Sequence, residues 1–353
     1  MVFKKALLSR CHLEDIIGVT RSRGQKLIDS VDSCYSSFDR CVERNGKEKW
    51  RHIDNPHDEL KIAQRRLNSF ILNEAVFPDD IIGGVRHRSV KDHAARHVGQ
   101  PLVVALDLAD YFPHITNRRV FHELRQHLGC GADTAKFITR LTTLRGHIPQ
   151  GAPTSTTIAN IASLTMFREI SSFCKTRGLM CSFYIDDIAI SGHGARLAIG
   201  PIKAIVGRFG QFIRKTKTDI MPQSTDQSIG NILVNHGLSN KLDRLKAIVS
   251  DMSLQAAASV RSMRLMRKIK GQIAYARWIN EAEGESLTQL MEFFLPDGDM
   301  YSEESDVPFL VTTVTSPCRS MQTCKASPLA VLIPKLERSV SPTRRSLPQR
   351  VRA

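Results

Sequence analysis

An α+β fold is what the 353-residue sequence predicts, and three observations carry it. Pro101-Leu102-Val103-Val104-Ala105-Leu106-Asp107-Leu108 is an apolar, β-branched run that reaches a carboxylate, the pattern of a buried strand. Ser182-Phe183-Tyr184-Ile185-Asp186-Asp187-Ile188-Ala189-Ile190 sets short apolar runs on either side of an Asp pair, a hairpin with acids at its tip. Helical periodicity fills most of the remaining chain.

Over 1–42, Leu13, Ile16, Ile17, Leu27, Ile28 and Val31 recur at spacings near three and four, which predicts helix punctuated by Gly18 and Gly24. Arg44-Asn45-Gly46-Lys47 is a hairpin-type turn signal, and Trp50-Arg51-His52-Ile53 is a short strand ended by Pro56. Helix returns over 58–77, with Leu60, Ile62, Ala63, Leu67, Phe70 and Ile71 able to share a face. Residues 117–145 predict helices around Gly129 and Gly131. One helix is expected over 155–173, striped by Ile158, Ala162, Met166, Ile170 and Phe173 and capped by Ser155. A helix over 197–213, a second hairpin region at 229–234 and basic helices over 240–280 follow. From 296 onward Ser, Thr and Pro accumulate and periodicity is lost, so a disordered basic tail is expected.

Fifty Lys+Arg stand against 35 Asp+Glu, and the surplus of fifteen positive charges suits a polyanion such as nucleic acid. It is spread along the chain, which favours an extended groove over a single basic arm. No apolar run approaches the length of a membrane span, and the apolar stretch after Met1 is too short for a signal peptide. A cytoplasmic protein with no membrane partner is therefore expected. None of the eight cysteines forms a Cys-x-x-Cys pair, so free thiols are expected rather than a zinc site.

The chemistry concentrates on carboxylates. An Asp pair in a turn is ordinarily only a turn, because Asp supports that geometry. Here, however, two apolar strands hold Asp186 and Asp187 at a sheet edge, and Asp107 ends another buried strand. Three converging carboxylates repel one another unless cations stand between them. Two Mg²⁺ ions shared with substrate phosphates relieve that repulsion and serve in-line phosphoryl transfer. Between these acids, Ile148-Pro149-Gln150-Gly151-Ala152-Pro153-Thr154-Ser155 is a Pro-bracketed turn feeding a helix. Gly151 permits a close approach to its backbone, and Gln150 offers a donor and an acceptor beside it.

In order and spacing, Asp107-Leu108-Ala109-Asp110-Tyr111-Phe112-Pro113, Pro149-Gln150-Gly151-Ala152-Pro153-Thr154-Ser155 and Tyr184-Ile185-Asp186-Asp187 resemble reverse transcriptases. The resemblance runs from about residue 13 to 294 and implies a right-hand polymerase with fingers, an antiparallel-sheet palm and a helical thumb. It divides the chain into N-terminal helices and fingers (1–100), palm (101–235), basic thumb (236–295) and tail (296–353). By the same resemblance Asp107 and Asp186 are the principal metal ligands, and Asp187 completes the acidic cluster. Phe112 falls at the steric-gate position that selects deoxynucleotides (dNTPs). Gln150 and Gly151 pack on the incoming nucleotide and the template base, and Tyr184 lies near the primer end. Arg51-His52-Ile53-Asp54-Asn55-Pro56 resembles the fingers pattern whose Arg reaches the triphosphate. Lys215-Thr216-Lys217-Thr218 resembles the element whose lysine meets departing pyrophosphate. Its spacing to Gly230 allows either lysine, and the following Ile220-Met221 favours Lys217. Arg261, Arg264, Arg267, Lys268 and Lys270, interleaved with Met263, Leu265, Met266 and Ile269, suit a template–primer duplex.

Gly84-Val85-Arg86-His87-Arg88-Ser89-Val90, followed by Ala94 and His97, looks like retron reverse transcriptases and related bacterial defence enzymes. Two departures stand out. His93 occupies the position before Ala94 where retrons usually carry Asn, and Ser228-Ile229-Gly230 stands where they carry Val-Thr-Gly. In the family those elements are associated with recognition of the cognate structured RNA. The resemblance implies an RNA-directed DNA polymerase, a nucleotidyltransferase in phage defence. Its expected partners are a cognate non-coding RNA, an RNA/DNA hybrid and an accessory effector protein. Two other readings are a template-independent or protein-primed polymerase on the same palm, and a non-catalytic RNA-binding scaffold.

Overall fold

The computed structural model describes residues 2–3, 9–44, 47–258, 261–295 and 301–302. The tail expected over 296–353 lies outside them, apart from the short strand at 301–302. Two compact units divide the chain, Met1–Gly230 and Asn231–Ala353.

The first unit opens with β1 (Val2–Phe3), α1 (Arg10–Ile17) and α2 (Arg21–Asp29). A long ribbon follows, β2 (Tyr35–Arg44) and β3 (Lys47–Pro56), then α3 (Asp58–Glu74), β4 (Ala75–Val76) and the short α4 (Val90–Ala95). Next come β5 (Leu102–Ala109), α5 (Asn117–Leu128), α6 (Ala132–Thr142), α7 (Ser155–Ala162) and α8 (Leu164–Lys175). The hairpin β6 (Met180–Tyr184) and β7 (Asp187–Ser191) leads to α9 (Ala195–Arg208), β8 (Phe212–Ile213), β9 (Asp219–Pro222) and β10 (Ser228–Ile229).

Helix ends obey local chemistry. Ser9, Thr20 and Thr116 each accept a first-turn N–H, and Gly18 closes α1 in the left-handed region at φ +74°.

A five-stranded antiparallel sheet forms the centre, in the order β6-β7-β5-β8, with β9 also paired to β5. Its register sets Asp107 opposite Asp187, and Tyr184 opposite Asp187 on the other side. Helices α8 and α9 pack against this sheet, where Phe167 stacks on Phe183 at 4.3 Å between ring centroids. The apolar stripes of α3, α5 and α6 extend the same core. Burial of these faces drives the unit together, at about 25 cal/mol per Å² of apolar surface.

Four local expectations are corrected. Residues 35–42 form strand rather than helix, and the ribbon has ten residue pairs rather than one short strand. Both faces of the ribbon are largely exposed, so no inside–outside alternation announces it, and cross-strand pairing decides. The helix expected over 155–173 breaks at Ser163 into α7 and α8. Thr154, not Ser155, holds the cap position, because the Ser155 hydroxyl donates to the Pro149 carbonyl at 2.6 Å. The helix expected over 197–213 ends at Arg208, and Phe212–Ile213 instead pair with Leu108–Ala109 of β5.

The second unit contains β11 (Ile232–Leu233), β12 (Ser239–Asn240), α10 (Leu242–Ala257), β13 (Arg261–Ser262), α11 (Met263–Ile279), α12 (Glu281–Phe294) and β14 (Tyr301–Ser302). Its core is Leu245, Ile248, Met252, Ile269, Ile273 and Leu287. Buried Asn240 donates to Glu283 Oε2 at 2.6 Å and to the Ala276 carbonyl at 3.0 Å, tying β12 to the α11–α12 corner. Met266 and Ile269 face inward while Arg264, Arg267, Lys268 and Lys270 are exposed, so α11 is apolar on one side and basic on the other. Among the described residues no helix is long and apolar enough to cross a membrane.

Candidate active site

Asp107 sits near the end of β5, where central-strand pairing leaves little backbone freedom, and is only 8% exposed. The β6–β7 turn brings Asp186 and Asp187 beside it. Leu108 N–H donates to the Asp186 carbonyl at 2.8 Å, which fixes the turn on β5. The turn residue Ile185 has φ +59°, a left-handed conformation that is costly for a β-branched side chain.

The acids perturb one another. Burial pushes the Asp187 carboxyl up to about 6, and Asp186 and Asp107 add to the rise. Burial also raises Asp186, with Asp107 adding to it; a backbone hydrogen bond, Lys217 and Lys49 oppose the shift. Lys217 Nζ reaches Asp107 Oδ1 at 2.5 Å, which distinguishes it from Lys215. Among the described residues no three His, Cys, Asp or Glu side chains are already gathered around a metal-sized space.

Arg214 was not singled out by the sequence. Its Nε lies 3.4 Å from Asp107 Oδ2 and its Nη2 3.4 Å from Asp110 Oδ1. Arg214 precedes and Lys217 ends one turn of 3-10 helix (Lys215–Lys217), a juxtaposition that only folding reveals.

The Gln150–Gly151 turn meets the ribbon. Asp54 N–H donates to the Gln150 carbonyl at 2.8 Å. A Cβ on Gly151, at φ +129°, would lie 3.0 Å from both the Asp54 carbonyl and Ile53 Cγ2. This close approach accounts for the glycine. Arg51 is exposed on β3, three residues before Asp54 and directly opposite Arg40. Phe112 is partly buried against the core, its ring 5.5 Å from that of Tyr111. The structure thus brings together Asp107, Asp186, Asp187, Lys217 and Tyr184 about the hairpin, and brings the base of the Arg51 strand to Gln150 and Gly151.

Two further supports were not read from sequence. Gly83 lies against the β6–β7 turn: a Cβ there would stand 2.5 Å from Ile185 N and 2.8 Å from the Tyr184 carbonyl carbon. Buried Asn160 of α7 donates to the Gly83 carbonyl at 2.7 Å. A polar residue inside Ile158-Ala159-Asn160-Ile161-Ala162 was the available signal.

The second support is α4 and the turn that follows it. His93 on the helix and His97 in the turn, four residues apart, are buried against the hairpin. His97 bonds Ser191 Oγ and Ser182 Oγ, both at 2.7 Å, and Ser182 Oγ bonds His93 Nδ1 at 2.7 Å. At 2% and 0% exposure these side chains are enclosed against the sheet.

Burial, with Arg96 adding, lowers His93 to about 4; burial, with His93 and Arg96 adding, lowers His97 to about 3. An unfolded histidine binds its proton near pH 6.5, so stability from these neutral rings is present above 6.5 and lost as pH falls towards 4. Asp187 titrates with the opposite sign, being raised on folding, so the test compares variants. Between pH 6.5 and 5 the stability gap between wild type and His97→Asn should shrink by about 2 kcal/mol. Urea unfolding at the two pH values measures it, and a gap that widens in acid contradicts the assignment.

Residues 42–230 match the family model "Reverse transcriptase (RNA-dependent DNA polymerase)", a span that contains all three acids, Phe112, Gln150, Gly151 and Lys217. The chain is 28% identical over 235 residues to the retron Se72 reverse transcriptase of Salmonella heidelberg (strain 579083-10), covering 64% of this chain and 62% of that protein. It is 27% identical over 213 residues to the retron Ec86 reverse transcriptase of Escherichia coli, covering 59% and 66%. The chain thus spans slightly less than two thirds of the length of each of these curated relatives. Among solved structures, a foamy viral protease-reverse transcriptase bound to double-stranded DNA aligns at 15% identity over 78% of this chain and 47% of that one, with TM-score 0.42. The chain belongs to the reverse transcriptase (RNA-dependent DNA polymerase) family, and the curated relatives named here are bacterial retron enzymes.

Proposed function

We propose that the chain is an RNA-directed DNA polymerase with fingers over 1–100, palm over 101–235 and thumb over 236–295, acting with a non-coding RNA in a retron or related antiphage system. The observation that supports it most is the meeting of Asp107, Asp186 and Asp187 beside Lys217 at one end of the central sheet. The donor set fits a hard cation: it is all carboxylate oxygen, and burial together with neighbouring acids raises two of its members. Asp107 and Asp186, with Asp187 less directly, would hold two Mg²⁺ ions. When bound, Mg²⁺ supplies activation of a primer 3′-hydroxyl and neutralisation of departing pyrophosphate.

The remaining roles belong to the chain. Lys217 Nζ meets the departing pyrophosphate as a cation and proton donor. Arg51 offers its guanidinium fork to the triphosphate of the incoming dNTP. Gln150 and Gly151 floor the nucleotide and template base. Tyr184 abuts the primer end, and the basic face of α11 follows the RNA/DNA hybrid by its backbone. An accessory effector protein completes the defence assembly, which works in the cytoplasm.

Phe112 crowds the sugar 2′-carbon. Phe112→Ala should raise ribonucleotide use relative to deoxynucleotide use roughly 10²-fold. Competition between the two nucleotides at one template position measures this, and an unchanged ratio removes Phe112 from the role.

The function itself is tested by dNTP incorporation on a primed RNA template with Mg²⁺. Template-dependent DNA product is expected. Product made equally well without template points to a template-independent polymerase, and no product at all points to a scaffold.

A further inference from the structure

Tyr184 ends β6 immediately before the left-handed Ile185. Its ring is flanked by that of His93, at 5.6 Å between centroids and 35° between planes. We propose that His93 is a positioning residue for Tyr184, and through it for the nucleic-acid strand end that Tyr184 meets. The proposal rests on the reading that Tyr184 faces the primer.

Five links lock the His93 ring. Its Nδ1 is held by Ser182 Oγ at 2.7 Å. That hydroxyl is held from the other side by His97 Nε2 at 2.7 Å. His97 is prevented from turning by Ser191 Oγ at 2.7 Å on its remaining nitrogen. The helix carrying His93 is short, but a capping box between Ser89 and Asp92 closes its start. Its first residue, Val90, packs so tightly on Gly230 that a Cβ there would collide with it.

Sheet alternation explains why one short segment suffices. Ser182 and Tyr184 project from the same face of β6, and Ala189 and Asp187 oppose them on β7. Two histidines four residues apart therefore both reach the buried Ser182 hydroxyl, and His93 flanks the tyrosine as well. An asparagine at 93 can still bond Ser182, but it offers Tyr184 no ring. The distinctive consequence of histidine here is the aromatic wall, beyond the hydrogen bond.

The test separates these two contributions. The five tyrosines are labelled with 3-fluorotyrosine, and Tyr184→Phe assigns the resonance of Tyr184. His93→Asn and His93→Phe are compared with wild type by ¹⁹F NMR and by steady-state kinetics on a primed RNA. His93→Asn should shift the Tyr184 resonance and raise KM for the primed template roughly tenfold while leaving KM for dNTP unchanged. His93→Phe should keep KM for the primed template within about twofold of wild type, because the ring is retained. In a Tyr184→Ala background, His93→Asn should add nothing to the loss. An unmoved Tyr184 resonance in His93→Asn overturns the proposal whether or not the protein is active. Additive kinetic losses, or equal losses in the Asn and Phe variants, overturn it too. Wild-type inactivity on every primed template defeats the reading of Tyr184 as the primer contact, and the proposed role of His93 at a strand end with it. The resonance then still decides whether His93 fixes the ring.

Discussion

Asp186→Ala combined with Asp187→Ala should abolish dNTP incorporation, by roughly 10³-fold or more, while leaving the fold at least as stable as wild type. Both carboxyls are raised by burial and by neighbouring acids, so the folded chain gains nothing from their charges at neutral pH. Removing them removes repulsion around Asp107 and leaves the turn's main-chain bond from Leu108 to residue 186 in place. A catalytic cluster is a place where stability is spent on function, and this double variant should show the two effects with opposite signs. Primer extension on RNA and thermal unfolding of the same preparation measure both. Retained incorporation refutes the site assignment, and collapse of the fold refutes the electrostatic argument.

Gly83→Ala should be nearly as damaging, through shape rather than charge. The new methyl would press on the main chain at Tyr184 and Ile185, and main chain cannot rotate away. The Gly83 segment has no slack: Ile82 N–H donates to the Phe183 carbonyl, Phe183 N–H donates to the Asp80 carbonyl, and Asn160 holds the Gly83 carbonyl. The overlap should cost about 1–3 kcal/mol of stability. Displacement of Asp186 by even a fraction of an ångström should lower turnover about 10²-fold. Gly207→Ala is the control, since a Cβ there meets nothing within 4 Å. Equal activity of the Gly83 and Gly207 variants would show that the turn tolerates displacement.

Much of this site was legible in the order of residues. Asp107, Gln150-Gly151 and Tyr184-Ile185-Asp186-Asp187 are short, contiguous and chemically unusual, so they announce themselves without coordinates. The strand at 102–109 and the hairpin at 180–191 were legible because burial demands apolar side chains at a fixed period. The β2–β3 ribbon was not, because its exposed faces impose no such pattern. Ser155 looked like a cap because its type fits one, and a competing acceptor at Pro149 took its hydroxyl.

By itself, then, the sequence determined the α+β class, the reverse-transcriptase family and the acids at the sheet edge, since local chemistry and hydrophobic period are written residue by residue. Tertiary structure alone decided which neighbours hold those acids. Lys217 over Lys215, Arg214 across Asp107 and Asp110, Gly83 beneath Ile185 and His93 beside Tyr184 are contacts between segments far apart in the chain. Such contacts depend on how sheet register and helix packing converge, and no spacing along the chain encodes that convergence.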